Sequence, residues 1–154
     1  MVVDLVSAVT FAVVLPGLLV AHMVADHWFQ SSHQAGCKGL VGWAGRRACA
    51  GHVAVYTTVT AVVVAVLWVA FGLAITPAGF VLGQAVSAIT HYWADRRSTL
   101  KKLAEVTGKG QFYRLGSPRE NRDDNPSLGT GAYVLDQSWH QGWLFVAALC
   151  TALI

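Results

Sequence analysis

Four long apolar segments alternate with two polar stretches along the chain. The apolar segments cover about residues 3–29, 49–73, 78–97 and 132–154, and the polar stretches cover about residues 30–48 and 98–131. Each apolar segment is long enough for the roughly 20 residues that a transmembrane helix requires. The pattern therefore predicts an all-α fold, an integral membrane four-helix bundle that forms a single transmembrane domain over residues 1–154.

The second polar stretch begins with an amphipathic segment. Residues 98–106 place Leu100, Leu103 and Val106 on one side of a helix, with lysines elsewhere on its surface. A short helix of this kind lies on the membrane surface, so we predict an interfacial helix in the loop between the third and fourth segments. The glycines and prolines that follow it predict a loop.

Composition and charge strengthen the membrane assignment. Of the 154 residues, 55% are hydrophobic and only 12% are charged, whereas soluble domains carry roughly 25% charged residues. All eleven lysines and arginines lie in the two polar stretches or at the end of the third segment. Because cytoplasmic loops carry the positive charges, we predict a multi-pass protein of the cytoplasmic (inner) membrane, with both loops in the cytoplasm and both termini outside.

Each apolar segment carries a histidine near its cytoplasmic end. His22 and His91 each precede an aspartate by four residues, His140 follows one by four, and His52 precedes Tyr56 by four. Residues four apart share one face of a helix. The alternating direction of the segments brings all four histidines to the same depth. Ionisable residues in membrane segments are costly and mark functional sites by default.

Imidazoles and carboxylates that point inward from several helices are typical metal ligands. The sequence therefore predicts a site for one or two divalent metal ions, zinc, iron or manganese. The predicted ligands are His22, Asp26, His52, His91, Asp95, Asp136 and His140.

A metal-bound water could serve as a nucleophile. This predicts a metal-dependent hydrolase that acts on a membrane-associated or phosphate-bearing substrate. Tyr56, Gln30 and Gln137 are the candidate catalytic residues that would orient substrate or ligands. Arg96, Arg97 and Lys101 are the candidates for binding a phosphate-bearing substrate, and they also fit contact with anionic lipid headgroups.

Other functions use the same residue types. Histidine–aspartate pairs can be hydrogen-bonded links between helices in a non-catalytic phage or host membrane protein, holin-like or partner-modulating. They can also form part of an ion, proton or metal transport path. The apolar outer halves of the first, second and fourth segments argue against such a path within one chain, although a homo-oligomer could supply it. Nucleic-acid binding is not predicted, because the basic residues flank membrane segments and no reader motif is present.

The order of these motifs resembles one known family. The stretches His22-Met-Val-Ala-Asp26 with Gln30, His52 with Tyr56, His91-Tyr-Trp-Ala-Asp95, and Leu135-Asp-Gln-Ser-Trp-His140, with Lys38 between the first two, are similar to the DUF3307 family of small bacterial and phage membrane proteins. The resemblance implies a multi-helix membrane protein whose histidine and aspartate set forms its site. A looser likeness in residue types to membrane-bound metal-dependent hydrolases is an analogy only.

Overall fold

The computed structural model describes residues 4–121 and 129–154. The regular secondary structure of this part of the chain is helical, as predicted, and comprises seven α-helices and one π-helical turn. The helices are α1 Leu5–Val24, α2 Ser32–Cys37, α3 Gly42–Phe71, α4 Pro77–Asp95, α5 Ser98–Val106, α6 Gly110–Tyr113 and α7 Gly131–Leu153, and the π-helical turn, Ala25–Phe29, directly continues α1. Residue 3 of the first predicted segment and residues 122–128 of the predicted second loop lie outside the described residues.

The first polar stretch is more helical than the sequence predicts. Residues 32–37 form α2, and α3 begins at Gly42 rather than near residue 49. The glycines that favour a loop here allow a close backbone approach instead. A Cβ atom on Gly45 would lie only 2.0 Å from the Leu40 carbonyl oxygen. The first turns of α3 can therefore pack beside the segment that follows α2.

Local capping fixes the ends of the long helices. The Asp4 carboxylate accepts a hydrogen bond from the Ser7 amide (2.7 Å) at the start of α1, and Thr76 accepts one from the Gly79 amide (2.9 Å) at the start of α4. Helix α3 ends at Gly72, whose φ of 58° favours glycine. Helix α5 coincides with the predicted amphipathic segment.

The four long helices pack in a closed ring. Helix α4 contacts α7, α7 contacts α1, α1 contacts α3, and α3 contacts α4. A Cβ atom on Gly83 of α4 would lie 2.1 Å from the Thr151 hydroxyl oxygen of α7, so this glycine lets the two helices approach closely. The apolar core of the ring lies away from the histidines and comprises Val14, Leu18, Val64, Leu73, Ile75, Leu144, Ala147 and Ala148.

Two helical stretches of the described residues are long and apolar enough to cross a membrane, Leu5–Phe29 and Gly42–Phe71. Four membrane-spanning segments are predicted, and length and apolarity support two of them. Helices α4 and α7 fall short because they carry more polar residues, among them Gln84 and Ser87 in α4 and Gln137 in α7. Those side chains belong to the polar end of the ring described below.

Candidate metal centre

The four histidines meet in one buried layer. His22 of α1, His52 of α3, His91 of α4 and His140 of α7 are each at most 3% exposed. The ring centroids of His91 and His140 lie 4.2 Å apart, those of His22 and His140 4.9 Å, and those of His52 and His91 5.1 Å. The layer lies near the ends of α1 and α4 and about ten residues after the starts of α3 and α7, at the end of the ring to which the alternating helix directions are predicted to bring the histidines.

The centre of this layer is the contact between His52 and His91, whose Nε2 atoms are 3.0 Å apart. Asp26 Oδ1 lies 3.3 Å from the His52 Nε2 atom and 3.5 Å from that of His91. Asp95 Oδ2 lies 3.2 Å and 3.3 Å from the same two nitrogens. Each carboxylate oxygen thus forms a compact triangle with the pair of imidazole nitrogens.

These distances match the spacing of ligand atoms around a metal ion. Two ligand atoms in a tetrahedral site with zinc–nitrogen or zinc–oxygen bonds of ordinary length are about 3.3 Å apart. Asp26 Oδ1 and Asp95 Oδ2 are buried and have no hydrogen-bond partner among the described residues, although nitrogens lie nearby. Buried oxygens are rarely left without a partner. A cation above the shared His52–His91 edge would satisfy both.

Three groups of residues in the described chain have ligand atoms within 4.8 Å of one another. His91 belongs to two groups, and so does His140. The groups are His22 with His91 and His140, Asp26 with His52 and His91, and Asp95 with Asp136 and His140. Together they contain all seven ligands predicted from the sequence, so the structure brings the whole predicted set together.

Gln137 orients two members of this set. Its Oε1 atom lies 3.3 Å from His22 Nε2, and its Nε2 atom donates to Asp136 Oδ2 at 3.3 Å. An amide oxygen only accepts, so this contact is a hydrogen bond in the His22 tautomer that carries its proton on Nε2. In that tautomer the buried Nδ1 atom, 3.7 Å from Asp26 Oδ2, has a free lone pair. This is the arrangement by which outer hydrogen bonds fix a ligating histidine.

A polar cavity of about 650 Å³ opens onto the centre from the side of α2, α5 and α6. Its walls include three of the predicted ligands, Asp26, Asp95 and Asp136. Gln30 and Gln137, two of the three predicted catalytic residues, also line it. Water and a small polar substrate could therefore reach the carboxylate side of the centre.

Residues 14–153 match the family of proteins of unknown function DUF3307. The chain belongs to the DUF3307 family. The matched range contains every residue of the three ligand groups, and the resemblance indicated by the motifs is confirmed. A comparison with the curated proteins found no match, and neither did one with the solved structures.

In this DUF3307 chain Tyr56, the third predicted catalytic residue, lies behind the centre. Its ring stacks on His91 with a centroid distance of 3.8 Å, and its hydroxyl group is 2.7 Å from the Ser87 hydroxyl group. A turn further from the centre, Thr60 donates to Gln84 Oε1 at 2.8 Å. The phenol is therefore placed to hold the His91 ring, and a catalytic role for it stays a prediction.

Two of the basic residues near the centre line the cavity, and a third binds backbone carbonyls instead. Lys38, which is only 9% exposed, lies with its Nζ atom 2.8 Å from Asp95 Oδ1 and lines the cavity. Arg97 also lines it, whereas the Arg96 guanidinium donates to the carbonyls of Lys38 and Leu40, both at 2.5 Å. Lys101 is exposed on α5. Sequence reasoning did not select Lys38 as a site residue; its position between the matching motifs was the available signal.

Arg97 joins α4 to α5 in an unusual backbone conformation. Its φ of 54° and ψ of −47°, with a hydrogen bond from the Ser98 amide to the Arg96 carbonyl, define a γ-turn. A side-chain-bearing residue with positive φ is strained, and such strain clusters at functional sites. The turn brings Arg97 to the cavity wall directly beside the start of α5.

Proposed function

We propose that this chain is a multi-pass membrane protein that holds one or two divalent metal ions among its histidines and aspartates and hydrolyses a phosphate-bearing, membrane-associated substrate. One observation carries the proposal. The His52–His91 pair faces two buried carboxylate oxygens that have no hydrogen-bond partner in the described part of the chain, at ligand-to-ligand distances and beside an open cavity.

The exposed apolar surface supports insertion in a bilayer. Only 33% of the apolar window in Leu5–Phe29 and 22% of that in Gly42–Phe71 is buried. Helices α4 and α7 also expose large apolar side chains, such as Ile89 and Phe145. An apolar surface of this extent is unfavourable in water and suits lipid. We therefore place all four long helices across the membrane.

Charge and aromatic residues support a cytoplasmic position for the centre. Lys38, Arg96 and Arg97 lie at the end of the ring that holds the histidines, as the positive-inside rule requires of a cytoplasmic end. Trp28 and Trp43 are exposed at the same end, 84% and 74% respectively. Tryptophan is enriched at membrane–water interfaces. The cavity would then open to the cytoplasm at headgroup depth.

Hydrolysis is the reaction that this arrangement favours. A bound divalent ion lowers the pKa of a coordinated water to about 7 and so supplies a nucleophile at neutral pH. The oxygen of this water would attack phosphorus, the bond from phosphorus to the leaving oxygen would break, and the alcohol would leave with a proton. Lys38 and Arg97 offer positive charge to the phosphate oxygens from the cavity wall.

The first test is the metal content of the detergent-purified protein, measured by mass spectrometry. We expect about one or two zinc, iron or manganese ions per chain, with loss in His91→Ala and reduction in Asp136→Asn. His33→Ala is the matched control, because His33 is exposed and belongs to none of the three groups. Metal-free protein, or equal metal in the parent and in folded His91→Ala, would overturn the proposal.

Hydrolysis is tested separately on metal-loaded protein. We expect release of alcohol from a phosphate ester by the parent and by His33→Ala, and none by His91→Ala. Bound metal without turnover on any phosphate ester would leave a metal-binding membrane protein and refute the hydrolase. Transport is less favoured, because the buried side chains beyond Thr60 and Gln84 are mainly apolar, among them Val14, Leu18 and Leu144.

A further inference from the structure

A second cavity lies beside the polar one. It is a groove of about 250 Å³ between α5 and the first turns of α7, lined mainly by apolar residues such as Leu103, Leu135 and Trp139 and also by the polar residues Thr107, Lys109 and Ser138. Leu100 lines both this groove and the polar cavity. A molecule long enough to reach from one cavity to the other past Leu100 would contact charged side chains at one end and Leu103, Leu135 and Trp139 at the other.

The apolar wall of the groove is held rigidly. The Trp139 indole N–H donates to the Thr90 carbonyl at 3.1 Å, and its ring stacks on Trp93 with a centroid distance of 4.4 Å. On the opposite side Leu100 and Ala104 anchor α5, being 6% and 4% exposed. The groove is thus a built feature between two fixed elements rather than a gap under a loose loop.

The polar cavity offers an anion two cations and a hydrogen-bond donor. Lys38 and Arg97 line its wall with Tyr113. Burial raises the pKa of the Tyr113 phenol, so its hydroxyl group stays protonated and can donate. The carboxylates of the same wall would repel an anion until a metal ion neutralises them. Anion binding in this cavity should therefore depend on bound metal.

We propose that the substrate is an amphiphile, with a phosphate headgroup beside Lys38 and Arg97 and an alkyl chain in the groove lined by Leu103 and Trp139. This rests on the proposed function, because the headgroup needs the metal centre. Two observations carry the proposal: Leu100 lines both cavities, and the charged side chains of the first cavity contrast with Leu103, Leu135 and Trp139 in the groove. The amphipathic helix α5 then forms one side of the chain site.

The test is competition against radiolabelled orthophosphate on zinc-loaded protein in a non-ionic detergent, with the zinc content measured in each sample. We expect dodecyl phosphate to compete at about tenfold lower concentration than methyl phosphate, because burial of two methylene groups is enough to raise the affinity about tenfold. Leu103→Asn should remove the advantage of the long chain and leave competition by methyl phosphate unchanged. Lys38→Met should weaken both competitors.

Val106→Asn is the matched control, because Val106 is an exposed residue of the same helix and lines neither cavity. It should keep the advantage of the long chain. Leu135→Asn tests the groove from α7, in case Leu103→Asn does not fold. If methyl and dodecyl phosphate compete equally while zinc is bound, the ligand is a free phosphate ester. That result would overturn the proposal of an amphiphilic substrate and leave the metal centre standing. Protein that binds no zinc would overturn the metal centre itself.

Discussion

Lys38 and Asp95 form a buried ion pair, with Lys38 Nζ 2.8 Å from Asp95 Oδ1. The other oxygen of the same carboxylate lies 3.2 Å from His52 Nε2. The Asp95 carboxylate therefore contacts the Lys38 ammonium group through Oδ1 and the pair of imidazoles through Oδ2. The lysine is a fixed positive charge that shares a ligand with the proposed metal ion and also faces the cavity.

Replacement of Lys38 by methionine should strengthen metal binding. Removal of a positive charge a few ångströms from the centre relieves its repulsion of a divalent ion, and we expect the Kd for zinc to fall about tenfold. Competition with a chelator measures this. Lys101→Met, an exposed lysine on α5, should leave the Kd unchanged. Weaker binding in Lys38→Met would show that the ammonium group instead holds Asp95 in place.

Gln137→Leu should weaken metal binding by about tenfold. Loss of a residue that hydrogen-bonds to a metal-ligating histidine usually costs at least this much in metal affinity. The change removes the contacts from the amide to His22 and Asp136 while keeping the size of the side chain. Gln141→Leu, an exposed position one turn further along α7, is the control. Unchanged affinity in Gln137→Leu would mean that His22 is oriented by packing alone.

Tyr56→Phe and Ser87→Ala remove the same 2.7 Å hydrogen bond from opposite sides. We expect each to lower the free energy of unfolding in detergent by about 1 kcal/mol and to leave the metal content unchanged. Both variants keep the tyrosine or phenylalanine ring that stacks on His91. Loss of hydrolysis in Tyr56→Phe but not in Ser87→Ala would establish a catalytic phenol.

Gly83→Ala should destabilise the contact between α4 and α7. The added methyl group would meet the Thr151 hydroxyl oxygen at 2.1 Å and the Ala147 carbonyl at 2.9 Å, and overpacking of this kind costs about 1–3 kcal/mol. Thermal unfolding in detergent measures the difference. A Cβ atom on Gly142 would meet no other described part of the chain within 4 Å, so Gly142→Ala should be neutral or slightly stabilising. Equal stability of the two variants would contradict the close approach of these helices.

The proposed topology is tested by labelling single cysteines with a membrane-impermeant maleimide in intact cells. We expect Cys37, which follows α1 at the end that holds the metal centre, to react only after the membrane is permeabilised. Ile154→Cys, in a chain whose natural cysteines are replaced, should react without permeabilisation. The reverse pattern would place the centre outside the cell.

The sequence predicts the convergence of the ligands because two simple periodicities act together. Pairs such as His91 and Asp95 share a face by their spacing, and alternating helix directions bring four such faces to one end. Nothing comparable predicts the position of Lys38. It depends on α2 and on hydrogen bonds from Arg96 to carbonyls 56 and 58 residues earlier in the chain. In a sequence, adjacent arginines indicate an exposed or anion-binding surface. No local sequence pattern predicts that Arg96 donates to backbone carbonyls.

The π-helical turn at Ala25–Phe29 has a consequence for the position of one predicted ligand. Such a turn closes its hydrogen bonds five residues back, so it accommodates one residue more than an α-helical turn does. Asp26 lies in this turn, four residues after His22. Deletion of one residue here would convert the turn to the α-helical pattern and would shift Asp26 relative to His22, because the turn itself absorbs the extra residue. The length of the turn therefore helps to set the distance from the Asp26 carboxylate to His52 Nε2, which is 3.3 Å.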